Sequence, residues 1–441
     1  QARRIPNSAS LCPMSALKRN MLSLFTLQGA AYLLPLIAVP YLVRVLGPTT
    51  YGRIAFAQAF VQYFVLLTDY GFNLSATRSI ALSKGDPQAL SRIFSSVLAA
   101  KLCLAAAGWG VLQLACLASP NLARDYPLFV VCYLAVLGNA LFPVWLFQGI
   151  ERMGYITAFS ISARAVTVLG LFVLIRSPDD MMRATALLSA PALLSAVLAL
   201  PLVPRIAGIR LVWPSLAHMR EAFVQGWHIF TATFGGALYN NSNTFFLGLV
   251  APPAAVGYFA AADKLIRAVQ GLISPISEAA YPHVAVLATT SREAAFGFVG
   301  KLLGVLCAGA ILAGMILYLA AGPVVGIALG SAFAPAAQIL QTLAPWPLLI
   351  ALNVVFGALF VVQLGLGRLL TVSIVLPGLV HIALLYPIAK HLGPVGVAWF
   401  MLFTEASVLL IRMLGTSRSH PVELRAMRRG LLSLVANIRH A

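Results

Sequence analysis

Twelve mostly apolar stretches, joined by short polar connections, constrain this chain more than any other feature of it. They cover residues 21–45, 54–75, 94–117, 126–147, 155–175 and 184–203, then 222–250, 256–281, 296–320, 336–364, 369–388 and 395–414. A helix rises about 1.5 Å per residue and a hydrocarbon layer is about 30 Å thick, so roughly 20 such residues cross it. Backbone polar groups in lipid must be satisfied within the segment, and a helix does this. Hydrophobic residues make up 60% of the 441 and charged residues only 10%. A water-soluble globule carries about 25% charge, so this surface could not be covered in water. Mean hydropathy is +0.91. A disordered chain, a disulfide scaffold and a cytosolic enzyme are excluded. The five cysteines have no paired metal spacing, and four lie in apolar runs, where they read as small buried hydrophobes.

The fold class expected is all-α, a polytopic membrane protein of twelve transmembrane helices in two six-helix lobes around a central cavity. Residues 1–20 form an N-terminal segment, 21–203 the first lobe, 204–221 a linker, 222–414 the second lobe and 415–441 a basic tail. Residues 1–13 lack periodicity, and Met14 opens a basic stretch before the first apolar run, so Met14 is the expected start. No signal peptide is visible, because the first apolar run is too long for one. Leu46-Gly-Pro-Thr-Thr-Tyr-Gly52 recurs loosely, 205 residues on, as Val250-Ala-Pro-Pro-Ala-Ala-Val-Gly257. Both are Pro-containing turns after the first helix of a half, which predicts two halves in parallel orientation; chance likeness between apolar hairpins is the alternative.

The formal charge of +18 is a topology signal. With a cytoplasmic N-terminus, most of the 30 Lys and Arg fall on the cytoplasmic side, Lys101 and Arg412 among them. Only Arg44, Arg53, Arg124, Arg176, Arg183 and Lys390 fall opposite. The positive-inside bias places both termini in the cytoplasm, and no nucleic-acid partner is expected. In the tail, Leu424, Met427, Leu431, Val435 and Ile438 recur at helical spacing with arginines off that face. This reads as a helix on the cytoplasmic leaflet beside anionic lipid, with a disordered basic tail as the alternative.

Charges at membrane depth mark candidate sites, because an unpaired one costs several kcal/mol there. Segment 256–281 holds Asp263, Lys264, Arg267 and Glu278. Asp263 and Arg267 stand at i,i+4 and can pair, which leaves Lys264 for a ligand. A cationic cavity wall is one reading of this segment, and a neutralised helix anchor near the outer leaflet is the other. Arg164 sits on a polar stripe with Thr157, Ser160 and Thr167; it either lines the cavity or pairs with Asp69 or Glu405. Asp69, Glu405 and His381, joined by Asp263 and Glu278, are the ion-coupling candidates, since their charge can change during a cycle. Structural ion pairs would use the same residues. The run Tyr239-Asn-Asn-Ser-Asn-Thr244 suits sugar contacts or helix–helix contacts. Gln28, Asn240 and Asn243 are the sugar-contact candidates. Gly300-Lys301 lacks the rest of a phosphate-binding loop, and no hydrolase or metal motif appears, so neither a cofactor, a metal nor ATP hydrolysis is expected.

Leu33-Leu-Pro-Leu-Ile-Ala-Val-Pro-Tyr-Leu-Val-Arg-Val-Leu-Gly47, Phe56-Ala-Gln-Ala59 and Asp69-Tyr-Gly-Phe-Asn-Leu-Ser-Ala-Thr-Arg78 resemble the opening of bacterial polysaccharide repeat-unit flippases, the Wzx-type O-antigen transporters. Val256-Gly-Tyr-Phe-Ala-Ala-Ala-Asp-Lys-Leu265, Ser274-Pro-Ile-Ser277 and Tyr281-Pro282 are similar to that family's eighth helix. The resemblance implies a fold shared with multidrug exporters and lipid II flippases. It implies transfer of an undecaprenyl-pyrophosphate-linked glycan from the inner to the outer leaflet, driven by an ion gradient. Lys264, Arg267, Arg164, Arg44 and Arg78 would then contact the pyrophosphate. Partners implied are that glycan, membrane lipids, and the polymerase and chain-length regulator of the same pathway. Two alternatives stand beside it. A cation-coupled small-molecule exporter would have a smaller cavity with fewer cations. A membrane-embedded polymerase or glycosyltransferase would carry a sizeable outer loop, and the outward connections are short. Neighbouring genes for sugar-nucleotide and glycosyltransferase enzymes would favour the flippase.

Overall fold

The computed structural model describes the backbone of residues 14–440, with side chains other than those of 14–36, 121, 232–238, 240, 272, 274, 275, 418 and 435–440. Residues 1–13 lie outside it. No strand occurs among the described residues. In chain order the helices are α1 (Met14–Asp69), α2 (Phe72–Leu82), α3 (Pro87–Ala118), α4 (Pro120–Arg124), α5 (Tyr126–Cys132), α6 (Leu134–Leu141), α7 (Val144–Gly149), α8 (Met153–Leu174), α9 (Met181–Ser189) and α10 (Pro191–Ala199). There follow α11 (Val203–Ala207), α12 (Leu216–Val250), α13 (Pro253–Thr290), α14 (Arg292–Leu319), α15 (Ala321–Ala328), α16 (Ala336–Leu343), α17 (Trp346–Val354), α18 (Gly367–Ser419) and α19 (Pro421–His440).

Proline, glycine and caps explain most of the boundaries. Asp86 starts α3 by accepting from the N–H groups of Gln88 and Ala89, with Pro87 at the first helical position. Ser291 does the same for α14 through Ala294 N–H. The turn expected after the first apolar run lies inside α1 as a kink at Gly47, whose φ of 73° disfavours any side chain. Gly393, followed by Pro394, breaks α18 at the place where two runs were expected to separate. Segment 126–147 is three short helices, parted at Tyr133 and at Phe142–Pro143. Segment 336–364 is α16, α17 and a π-helix over Val355–Val361.

Among the described residues, six helical stretches are long and apolar enough to cross a membrane: Pro87–Ala118, Tyr126–Gly149, Met153–Leu174, Arg292–Leu319, Ala336–Val361 and Gly367–Ser417. Pro178–Ser189 and Pro191–Ala207, bent by 43°, make a seventh when taken together. The chain is thus an all-helical, multi-pass membrane protein.

The two repeat turns pack on each other reciprocally. A side chain at Gly52 would strike the Pro253 carbonyl oxygen, and one at Gly257 would strike that of Pro48. Gly52 and Gly257 are equivalent in the repeat, as are Pro48 and Pro253, so the contact is isologous, the form that two-fold symmetry produces. It seats α1 on α13. Beyond it, α12 leans by its first turns on α2 and α3 and by its later turns on α1 and α18.

The tail is a helix, as the spacing predicts, and its apolar face has a protein partner. Gly300 faces Met427 O, Gly430 faces Gly297 O, and Gly304 lies against Leu431 and Leu434, so α19 meets α14 at backbone distance. Arg292–Glu423 (3.6 Å) and Arg429–Glu293 (2.9 Å) flank this seam.

Candidate functional site

The first four turns of α13 carry the reciprocal contact at Gly257 and then Asp263, Lys264 and Arg267. Arg267 Nε donates to Asp263 Oδ2 at 2.7 Å, which is the expected i,i+4 pair. Lys264 has no carboxylate partner among the described residues, and its Nζ stands 5.3 Å from the centre of the Tyr51 ring. Arg267 lies over Trp346 at 5.9 Å. Both rings are buried, Tyr51 at 1% exposure and Trp346 at 2%, and each forms a cation–π contact. Three buried polar atoms of this group lack a hydrogen-bond partner: Tyr51 Oη, Trp346 Nε1 and Asp263 Oδ1. Buried polar atoms are nearly always satisfied, so two unused donors beside two cations form a surface suited to an anion.

Trp346 also lines a second, tightly closed group with Tyr239, Asn243, His381, Thr404 and Glu405. Glu405, 6% exposed, accepts from Asn353 Nδ2 at 2.9 Å and from Tyr239 Oη at 3.3 Å. Arg412 Nη1 in turn donates to Asn353 O at 2.7 Å, and its Nε to Ser373 Oγ at 3.0 Å. His381 stacks on Phe400 with ring centres 4.6 Å apart. Thr404 Oγ1 gives its proton to Phe400 O at 2.8 Å, so it must accept from His381 Nδ1–H at 2.7 Å. His381 Nε2 lies 2.9 Å from Asn243 Oδ1. With Nδ1 protonated, Nε2 can donate there only from an imidazolium. A neutral ring requires the Asn243 amide to turn over and donate its NH2. The pair therefore reads the charge of the ring.

In the N-terminal half, Asp69 pairs with Lys101 Nζ at 3.3 Å and accepts from Asn73 at 2.9 Å. Lys101 is 1% exposed. Arg412 is likewise buried, at 6% exposure; a buried cation persists where it finds its own acceptors. The pairing of Arg164 with Asp69 or Glu405 does not form, since both carboxylates are engaged elsewhere. Arg164 is half-buried on α8 between the buried Thr157 and Thr167. Arg44 is exposed beside Gly330, Arg78 is exposed on α2, and Glu278 is exposed on α13. The side chains of Gln28 and Asn240 lie outside the described ones. The sequence reading thus has Arg267, His381, Glu405 and Asn243 close together around Trp346, with Asp69, Arg44 and Arg78 elsewhere. It missed Tyr51, Trp346, Asn353 and Lys101. Lys101 gave one signal, a lone cation inside an apolar run; the others gave none.

The chain is similar to known proteins. Residues 17–287 match the family described as Polysaccharide biosynthesis protein. A protein of Escherichia coli (strain K12) is 31% identical over 399 residues, 90% of this chain and 96% of its own length. One of Shigella dysenteriae is 29% identical over 404 residues, 90% of this chain and 99% of its own. Both bear the name "Putative O-antigen transporter". Among solved structures, lipid II flippase MurJ in an inward closed conformation superposes with a TM-score of 0.72 at 11% identity, over 95% of this chain and 91% of that one. An inward-facing multidrug resistance MATE family transporter of the MOP superfamily gives 0.59 at 13% identity, over 90% and 98%. At such identities these two speak for the fold alone.

Proposed function

The chain belongs to the polysaccharide biosynthesis protein family, and from that membership we propose that it flips an undecaprenyl-pyrophosphate-linked oligosaccharide from the cytoplasmic to the periplasmic leaflet of a bacterial inner membrane. It is a transporter and not an enzyme. The carried molecule has a sugar head, a diphosphate and a lipid tail, and each needs a different solvent. Twelve spans in two six-helix lobes, rocking about a midplane site, would supply all three. The observation that carries the reading is Lys264: a cation at membrane depth, left without a carboxylate while its neighbour Arg267 is neutralised, beside two unused buried donors. In this reading Lys264 holds the diphosphate as a point charge, Arg267 and Arg164 approach it from the two halves, and Arg44 and Arg78 guide it at the two mouths.

The His381–Asn243 and Glu405 group is the coupling element in this reading. It lies against Trp346, so a proton taken there changes the field on the ring beneath Arg267. Asp69, held by Lys101, serves the N-terminal half in the same way. Passage of the glycan to a polymerase and chain-length regulator would follow on the outer side.

The test is complementation of a strain lacking its own flippase. At matched protein levels Lys264→Ala should abolish surface-glycan export, and Lys264→Arg should retain part of it. Normal export by the alanine variant would reduce Lys264 to a helix anchor and remove the diphosphate site.

A further inference from the structure

A second concavity lies apart from these groups. It opens between α2, α3 and the first turns of α12, with a volume of about 350 Å³, inside the ~300–1,000 Å³ range of ligand sites. Four hydroxyls and an amide line it: Ser75, Ser79, Ser83, Ser96 and Gln225. Ala76 and Val97 give it an apolar floor.

The cleft is built rather than incidental. Arg210 N–H donates to Ser91 Oγ at 3.1 Å and Val212 N–H to Ser95 Oγ at 3.0 Å, which ties the linker along α3 and sets the start of α12. Across the mouth, Ser79 Oγ donates to Gln225 Oε1 at 3.2 Å, and Gln225 Nε2 to Glu221 Oε1 at 3.0 Å. Ser96 is 3% exposed, and its hydroxyl bonds to no described residue. Ser96 lines the cleft, so this hydroxyl is available to a ligand there. One guanidinium (Arg92), one carboxylate (Glu221) and the imidazole of His218 also line the cleft, so its formal charge is close to balanced. An anion would gain little here, in contrast to the surface around Lys264. Hydroxyls, an amide and a flat apolar floor suit the polar edge and C–H face of a neutral sugar ring.

We propose that this cleft binds the glycan head of the lipid-linked substrate, through neutral sugar rings, separately from the diphosphate contacts on α13. The proposal rests on the carrier reading and on the cytoplasmic placement of this end of the molecule. Its logic is one of order: the sugar head is held at the cytoplasmic mouth before the diphosphate reaches Lys264.

The test uses the full chain in lipid nanodiscs. The probe is the repeat-unit oligosaccharide released by mild acid from the host's lipid-linked pool, bearing neither lipid nor diphosphate. Wild type should bind it. Ser96→Ala should weaken binding about five-fold, the worth of one hydrogen bond near 1 kcal/mol, with an unchanged or higher melting temperature. Ser79→Trp, which fills the cleft, should abolish binding while the chain stays folded by the same melting measurement. Wild type that restores export yet binds no oligosaccharide overturns the cleft alone, as does binding that survives Ser79→Trp. Wild type that binds, with loss in both variants, but never restores export leaves the sugar site standing and removes the carrier reading.

Discussion

Lys101 is a lysine in the position of a core residue, 1% exposed with its ammonium 3.3 Å from Asp69. Removing one partner of such a pair leaves an uncompensated buried charge, worth about 3 kcal/mol. Asp69→Asn should therefore lower the thermal stability of the purified chain markedly, and adding Lys101→Met should restore most of it. If the double variant melts no higher than the single one, the pair is not a structural unit. Tyr51 and Trp346 call for the opposite sign. Their buried donors bond nothing among the described residues, so Tyr51→Phe should leave stability unchanged or raise it. Transport should nonetheless fall roughly ten-fold or more, since hydrogen bonds to charged groups contribute about 1.5–3 kcal/mol. Equal transport in the Phe variant would take Tyr51 out of the anion surface. The sequence made Asp263, Arg267 and Lys264 legible because their relation is local, one helical turn. It could not reveal Tyr51 or Trp346, whose approach to α13 comes from helices far away in the chain.

At the scale of elements, apolar runs and glycine–proline turns were the readable part. The twelve runs are mostly helical, though 54–75 is broken at Tyr70–Gly71, and the breaks at Gly47 and Gly393 fall in the expected turns. The subdivision of 126–147 and 336–364 was not readable, because a π-helix or a kink costs little locally and is decided by neighbours. The reciprocal glycine contact gives a sharp test. A side chain at Gly52 or Gly257 meets a backbone carbonyl, which no rotamer change relieves. Gly52→Val and Gly257→Val should each open this end and expose a cysteine placed at Ala55, 6% exposed, to a membrane-impermeant thiol reagent. A response from only one of them would mean the contact is not symmetric in energy. On α14, Gly300→Val should separate α19 and make the Ser419–Pro421 junction several-fold more sensitive to limited proteolysis. Resistance equal to wild type would show that side-chain bridges alone hold the tail.

At the scale of the whole molecule, the distribution of cations predicts opposite sides for the linker at 204–221 and the turn at 251–255. Single cysteines placed in each, in intact cells, should divide accordingly: the turn labels from outside, the linker only after permeabilisation. Labelling of both from outside would end the two-lobe arrangement. The seam between α14 and α19 also has a consequence in time. The ribosome delivers α14 long before α19, so during elongation the strip of Gly297, Gly300 and Gly304 stands open to whatever helix is near. A nascent chain arrested in that interval would carry an adhesive, glycine-lined helix into a crowded bilayer. Only the last segment to be made can cover that strip, so its exposure ends with the end of synthesis.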